Sequence, residues 1–152
     1  MIEPERDALL LEILGRPDDP EPYHVLADWL SEAGDPLGTW MARGLTYPGP
    51  VTTVDLRPED RDWLAVHTRE VLGRFGWWLD GQYDARGRAL RWKWGLLDAI
   101  EIHGHFRPLE PIVRAALEAP AAIALRALTV CVPPGGEPSL LAPLGRAPVR
   151  SL

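Results

Sequence analysis

Two apolar hexapeptides at a fixed separation constrain the fold of this chain more than any other feature. Residues 97–102 and 125–130 both fit the pattern L-x-x-L-x-L with aliphatic substitutes, and they lie 28 positions apart. Residues 149–152 begin a third copy 24 positions later. Between the first two copies, residues 108–118 carry apolar side chains at helical spacing. We therefore predict that the two hexapeptides form neighbouring strands and that the intervening helix lies behind them.

The first part of the chain predicts three short helices. Apolar residues recur at helical spacing over residues 5–14, 21–33 and 36–45. The predicted cap residues are Asp18 or Asp19 before the second helix, Gly34 after it, and Asp35 with Pro36 at the start of the third. The predicted inward face of the second helix consists of Val25, Leu26, Trp29, Leu30 and Ala33.

The middle of the chain predicts one helix followed by a tryptophan-rich strand. Residues 58–75 have apolar residues at helical spacing and acidic residues near their start. Residues 89–94 alternate apolar and basic side chains, which is typical of a strand with one face toward the core. We expect this strand to pair beside the first hexapeptide and to cap it. Leu90, Trp92 and Trp94 would then face inward, and Arg91 and Lys93 would be solvated.

Composition and charge narrow the class of protein. The net charge is −6, and residues 1–40 contain ten acidic and two basic side chains, so the remainder carries +2. This imbalance disfavours general nucleic-acid binding by the whole chain but leaves room for a local basic patch. The single cysteine, Cys131, excludes an internal disulfide. With no apolar run of membrane-spanning length and an acidic N-terminus, we expect a cytoplasmic protein.

Two motifs carry a resemblance to known families. Leu26-Ala27-Asp28-Trp29-Leu30 followed by Gly34-Asp35-Pro36-x-Gly38 resembles the short bacterial repeat-companion domain, whose pattern is roughly YADWLEERGDPRGEF. The match covers about residues 7–44 and departs from the pattern at Leu26, Leu37 and Thr39-Trp40. The spacing of the hexapeptides resembles that of leucine-rich repeats, which is ~20–29 residues. The resemblance implies a helical leader ahead of leucine-rich repeats. It does not indicate any particular activity.

These observations together predict an α+β fold. An N-terminal three-helix module is followed by a short leucine-rich-repeat-like solenoid of strands and helices with a Trp-rich capping strand. The predicted units are residues 1–46 for the helical module, 47–95 for a linker, helix and capping segment, and 96–152 for the repeat units, ending inside the third. The first boundary rests on Tyr47-Pro48-Gly49-Pro50, because two prolines and a glycine within four residues break a helix.

The predicted function is a non-catalytic protein–protein interaction or adaptor module. In L-x-x-L-x-L strands the intervening residues project to the concave side, where their mixed charge and small size suit a partner surface. The partner is another protein chain, in a hetero- or homo-oligomer, bound along this face or at the open C-terminal edge. The candidate partner-binding residues are Asp98, Glu101, Arg126, Thr129 and Arg150.

The alternative is a nucleic-acid-associated accessory subunit of a bacterial defence or signalling complex. Its candidate residues, in segment 86–94, are Arg86, Arg88, Arg91, Trp92, Lys93 and Trp94, which combine cations for phosphates with rings for bases. The alternation of apolar and basic residues argues against this alternative, because alternate residues of a strand put the rings and the cations on opposite faces. The rings would then seal the repeat core.

Catalytic and metal-binding interpretations have little support in the sequence. His24 and Asp28 are one helical turn apart, but neither a glycine elbow nor an activated nucleophile accompanies them. Glu101, His103 and His105 would share one side of an extended strand, but a structural zinc site normally has four protein ligands. We therefore predict no enzyme activity, no cofactor and no metal.

Overall fold

The computed structural model describes residues 3–79, 90–103 and 109–131. These residues form seven α-helices and a four-stranded sheet, so the predicted α+β class is confirmed. The helices are α1 (Glu3–Gly15), α2 (Pro20–Glu32), α3 (Pro36–Gly44), α4 (Pro58–Val66), α5 (Thr68–Leu72), α6 (Arg74–Leu79) and α7 (Leu109–Glu118). The strands are β1 (Val51–Thr52), β2 (Leu90–Lys93), β3 (Leu96–His103) and β4 (Ala127–Cys131). None of the described helices is long and apolar enough to cross a membrane.

The three N-terminal helices form with the predicted caps. The Asp19 carboxylate accepts a hydrogen bond from the Glu21 amide at 3.0 Å, and the Asp35 carboxylate accepts one from the Leu37 amide at 3.0 Å. Both bonds satisfy amides that a helix start leaves without a partner. Gly34 follows α2 with a φ of +77°, as expected for a helix-terminating glycine.

The inward face of α2 differs from the prediction at its edges. The buried residues of this helix are Pro22, Tyr23, Leu26, Ala27 and Leu30. Val25 is 47% exposed and Ala33 is exposed, so their predicted inward position was wrong. The face is centred closer to Tyr23 because the ring of this residue packs edge-on against Trp94, with 5.0 Å between ring centroids.

The continuous helix predicted over residues 58–75 is divided into α4, α5 and the start of α6. The Thr68 hydroxyl donates to the carbonyl oxygens of Leu64 and Ala65 at 2.8 and 3.2 Å, and therefore competes with the backbone at the end of α4. Gly73 has a φ of +58° and ends α5. The prediction of one helix was wrong, although each piece lies within the predicted range or beside it.

The sheet has the strand order β1-β2-β3-β4, in which β3 and β4 are parallel and the other pairs are antiparallel. Ile100 pairs with Leu128 and Ile102 with Val130, and all four are buried. The two hexapeptides are therefore neighbouring strands in which each residue pairs with the residue 28 positions later. Helix α7 lies between them in the chain, as predicted. This is one strand–helix–strand unit, and the repeat solenoid remains a prediction.

Strand β2 pairs antiparallel with β3, in the place predicted for the capping strand. Leu90 and Trp92 are buried, as expected. Lys93 was expected in solvent, but it is 4% exposed, so this expectation was wrong. Trp94 lies beyond the end of β2 with a φ of +49°, in the turn that leads to β3. It therefore does not continue the alternation of the strand.

The N-terminal helices and the sheet share one hydrophobic core. Buried side chains of α2, α3, β2, β3, α7 and β4 belong to a single cluster. Helix α3 approaches the turn between β2 and β3 so closely that a Cβ on Gly95 would collide with the backbone of Met41. Gly95 also has a φ of +86°, so both the space and the backbone require glycine there.

Candidate functional site

Asp98 occupies an irregular position in β3. Opposite β2, Trp92 pairs with Leu97 and Arg91 pairs with Ala99, which leaves Asp98 as the extra residue of a β-bulge. A bulge turns a side chain away from the regular alternation of its strand. Asp98 is accordingly 9% exposed, although the hexapeptide pattern predicts an outward-facing residue.

The carboxylate of Asp98 binds the residue that precedes β4. Arg126 Nε donates to Asp98 Oδ1 at 2.6 Å, and the Arg126 amide donates to the Asp98 carbonyl at 3.1 Å. Arg91 Nε lies 4.0 Å from the other carboxylate oxygen. The hydrogen bond from Arg126 to Asp98 raises the pKa of Arg126, because it favours the charged guanidinium. Two of the predicted partner-binding residues are thus bound to each other.

Beside this pair lies the one lysine of the chain. All 15 other cationic side chains are arginine, so Lys93 is the single ε-amine. Its Nζ donates to Asp18 Oδ1 at 2.5 Å and lies 5.3 Å from the centre of the Trp94 ring. The hydrogen bond from Lys93, and then its charge, lower the pKa of Asp18 below the ordinary value of 3.8. Asp18 belongs to the loop between α1 and α2.

Tyr23 is hydrogen-bonded to this loop, and its pKa is affected by the charges of Asp98, Arg126 and Asp18. Its hydroxyl donates to the Pro17 carbonyl at 3.2 Å. Burial, followed by the charge of Asp98, raises the pKa of Tyr23 to about 12. The charges of Asp98, Arg126 and Asp18 all affect the pKa of Tyr23, and the charge of Arg126 also affects the pKa of Asp18. We call Asp18, Tyr23, Lys93, Asp98 and Arg126 the loop–sheet charge cluster.

The outer face of β3 and β4 lies next to this cluster. Glu101 pairs directly with Thr129, and Ala99 pairs with Ala127, in the positions between the buried aliphatic residues. Glu101 is exposed and the other three are half-buried. The predicted set of partner-binding residues is therefore divided: Glu101 and Thr129 lie together on the outer face, Asp98 and Arg126 pair at its edge, and Arg150 lies outside the described residues.

The residues proposed for nucleic acid are not gathered into one surface in the described part of the chain. Trp92 is 1% exposed and donates its indole N–H to the Thr53 hydroxyl at 3.0 Å. Lys93 is buried against Asp18, and Arg91 is exposed beside Asp98. Trp94 is half-buried and donates to the Tyr47 carbonyl at 3.2 Å. Arg86 and Arg88 lie outside the described residues.

A second buried charge, Asp60, was not singled out from the sequence. Tyr47 donates its hydroxyl to Asp60 Oδ2 at 2.5 Å, and Arg43 Nη1 donates to Oδ1 at 3.0 Å. Arg57 Nη1 lies 3.7 Å from Oδ2, and the Arg57 amide donates to the Tyr47 hydroxyl at 2.8 Å. Only the spacing of Arg57 and Asp60, three residues apart, gave any sequence signal. This network ties the end of α3 to the start of α4.

A pocket lies beside α4, between this helix and residues 53–55. Its volume is about 290 Å³, which is at the small end of ligand sites. Its lining is mostly apolar and includes Val54, Pro58, Leu64 and Ala65, with Arg61 and Asp62. The pocket does not include any of the candidate residues.

The residues considered for catalysis or metal binding are exposed or lie outside the described ranges. His24 and Asp28 are exposed on α2. In residues 3–79, 90–103 and 109–131, no group of three or more His, Cys, Asp or Glu side chains is arranged to hold a metal ion. His105 lies outside these ranges, as does the side chain of His103.

Comparison of the chain with protein families, with curated proteins and with solved structures found no match. The fold and the site therefore define a class only at the level of an α+β domain with one parallel strand–helix–strand unit and a loop–sheet charge cluster. The resemblance to the repeat-companion domain and to leucine-rich repeats stays a prediction.

Proposed function

We propose that this chain is a non-catalytic protein-interaction module, located in the cytoplasm, that binds another protein chain through the outer face of β3 and β4 and through the edge of β4 that lies away from β3. The observation that carries the proposal is the register of β3 with β4, in which equivalent residues of the two hexapeptides are paired. This pairing aligns Ala99 with Ala127 and Glu101 with Thr129 on one surface. Small and mixed-polarity side chains there allow a partner backbone to approach closely.

The edge of β4 adds to this support. Within the described residues, β4 pairs with β3 and has no strand on its other side. An unpaired strand edge presents backbone donors and acceptors that recruit another strand. A partner that adds a strand at β4, or a further repeat unit, would use this edge and contact Thr129 on the adjoining face.

The nucleic-acid alternative has weaker support. Stacking requires an exposed ring and phosphate contact requires an exposed cation on the same surface. Trp92 and Lys93 lack that exposure, and the acidic N-terminal segment supplies the charge that pairs with Lys93.

The test compares the oligomeric state and the copurifying proteins of three chains: wild type, the double variant Glu101→Arg/Thr129→Arg, and the control Glu32→Arg. Glu32 is exposed at the end of α2, so the control changes the charge away from β3 and β4. Light scattering after size-exclusion chromatography should show a complex for wild type and the control. The double variant should lose the complex while keeping the wild-type far-ultraviolet circular dichroism spectrum, which would show that the chain is still folded.

Two results would contradict the proposal. One is a monomer in all three chains with nothing copurifying in stoichiometric amount. The other is a complex that persists unchanged in the double variant.

A further inference from the structure

The burial of Lys93 requires an explanation beyond its place in β2. Its side chain is 5% exposed, and a buried ammonium needs a compensating partner, since moving an unpaired charge out of water is costly. The partner is Asp18, whose side chain is 88% exposed. The Asp18 carboxylate thus reaches the Lys93 ammonium from the solvent side. The loop that contains Asp18 covers the ammonium.

The covering loop is short and lightly attached. It joins the end of α1 at Gly15 to the start of α2 at Pro20. Its own bonds, from the Asp19 amide to the Arg16 carbonyl and from the Tyr23 hydroxyl to the Pro17 carbonyl, remain within the N-terminal helices. Among the described residues, the bond of the loop to the sheet is the pair of Asp18 with Lys93.

The chemistry around Asp18 is that of a receptor for one carboxylate. Lys93 supplies the hydrogen bond and a full charge, and Arg126 adds a further favourable Coulomb effect on the pKa of Asp18. An ammonium has three N–H donors, and one of them is used by Asp18. Any carboxylate that reaches this position meets the same donor and the same charges.

Exchange of one carboxylate for another has a small net cost here. Asp18 returns to water almost without penalty, because it is already exposed, whereas Lys93 stays paired throughout. The obstacle to an incoming carboxylate is that Asp18 belongs to the same chain and is therefore always close to Lys93. A carboxylate on a macromolecule that is held nearby overcomes this obstacle more easily than a free one.

We propose that Lys93 forms a carboxylate-binding position that Asp18 fills from within the chain, and that the carboxylate of an acidic protein segment takes the place of Asp18. Displacement releases the α1–α2 loop from the sheet. The inference is independent of the interaction surface on β3 and β4, because it can be measured with a simple carboxylate and no partner.

The single lysine makes the test specific. Labelling with ¹³Cε-lysine gives one protein signal, that of Lys93. Sodium formate is titrated against sodium chloride at equal ionic strength, so that screening is matched. The variants are Asp18→Asn, which removes the internal carboxylate, and Asp28→Asn, a matched change at an exposed aspartate of α2.

In Asp18→Asn, formate should shift the Lys93 signal saturably and chloride should not. Wild type and Asp28→Asn should need up to about fivefold more formate for the same shift, the factor that corresponds to the upper end of the range for exposed ion pairs. Adding Lys93→Met to Asp18→Asn should abolish the rise in urea midpoint that formate gives the single variant. Equal responses in wild type and Asp18→Asn, or none in either, would overturn the proposal.

A second measurement needs no variant and covers the case in which Asp18→Asn does not fold. In the wild-type chain, high formate should shift the Lys93 signal and the amide resonances of residues 16, 18 and 19. Chloride should do neither. Formate that shifts the Lys93 signal while leaving the amide resonances of the loop unchanged would contradict displacement of Asp18.

Discussion

Asp60 and Lys93 are both buried charges, but the molecule compensates them in different ways. Asp60 accepts hydrogen bonds from Tyr47 and Arg43 and lies beside Arg57, so its partners come from three positions in the chain. Lys93 is paired with one carboxylate on a loop. Several partners hold a buried charge even when one of them moves, whereas a single exposed partner makes the pairing reversible. The comparison separates a structural charge from one suited to exchange.

The strongest test of this comparison is Asp60→Ala. The change leaves the buried Tyr47 hydroxyl without its acceptor, which costs about 1–3 kcal/mol, whereas the unpaired Arg43 guanidinium is partly exposed and adds little. We expect the free energy of unfolding, measured in urea, to fall by that amount. The control Asp62→Ala, at an exposed residue of the same helix, should remain within about 0.5 kcal/mol of wild type. A loss at Asp60 no larger than at Asp62 would mean that the network does not stabilise the fold.

Lys93→Met tests the other side of the comparison and should have a smaller effect. It removes the buried charge itself and leaves Asp18 in water, so no uncompensated charge remains. Replacing a buried charge by an apolar side chain of similar size is often neutral or stabilising. We expect the urea-derived free energy of unfolding to stay within about 1 kcal/mol of wild type or to rise. A fall comparable to that of Asp60→Ala would show that Lys93 is as firmly integrated as Asp60.

The neighbouring strands β3 and β4 were predictable because their signal is periodic and local. Apolar residues repeat within each hexapeptide, and the two copies are long enough to set a register. The helix caps at Asp19 and Asp35 were predictable for the same reason, since a cap acts on an amide two residues away. The pairing of Asp98 with Arg126 also had an available signal, because the two residues occupy equivalent positions of the two hexapeptides and carry opposite charge.

The burial of Lys93 had no comparable signal. Its partner, Asp18, is 75 positions away in the chain. The alternation of apolar and basic residues in β2 does not indicate that the α1–α2 loop lies over Lys93. The bulge at Asp98 and the left-handed turn at Trp94 likewise depend on how β2 and β3 meet. The division of residues 58–75 into separate helices depends on Thr68 and Gly73, whose effects compete with a helical apolar pattern that extends across them.

The smallest expected effect is the dependence of stability on acid pH through Asp18. The pKa of Asp18 is lower in the folded chain than its ordinary value of 3.8, so the ionised carboxylate is favoured by folding. Its contribution to stability is therefore present above pH 3.8 and is lost as the pH falls through the lower folded value. Urea midpoints of wild type and Asp18→Asn should differ at neutral pH and converge in this acid range.

Lys93→Met supplies the control for this acid dependence. Without the ammonium, the principal cause of the lowered pKa of Asp18 is absent, so adding Asp18→Asn to Lys93→Met should leave the pH profile of the urea midpoint unchanged. Arg126 is the remaining cation that acts on Asp18, and its Coulomb effect is the smallest of the four causes. If the single and double variants still differ in their profiles, Arg126 rather than Lys93 is the main partner of the loop, and the distinction drawn between Lys93 and Asp60 fails.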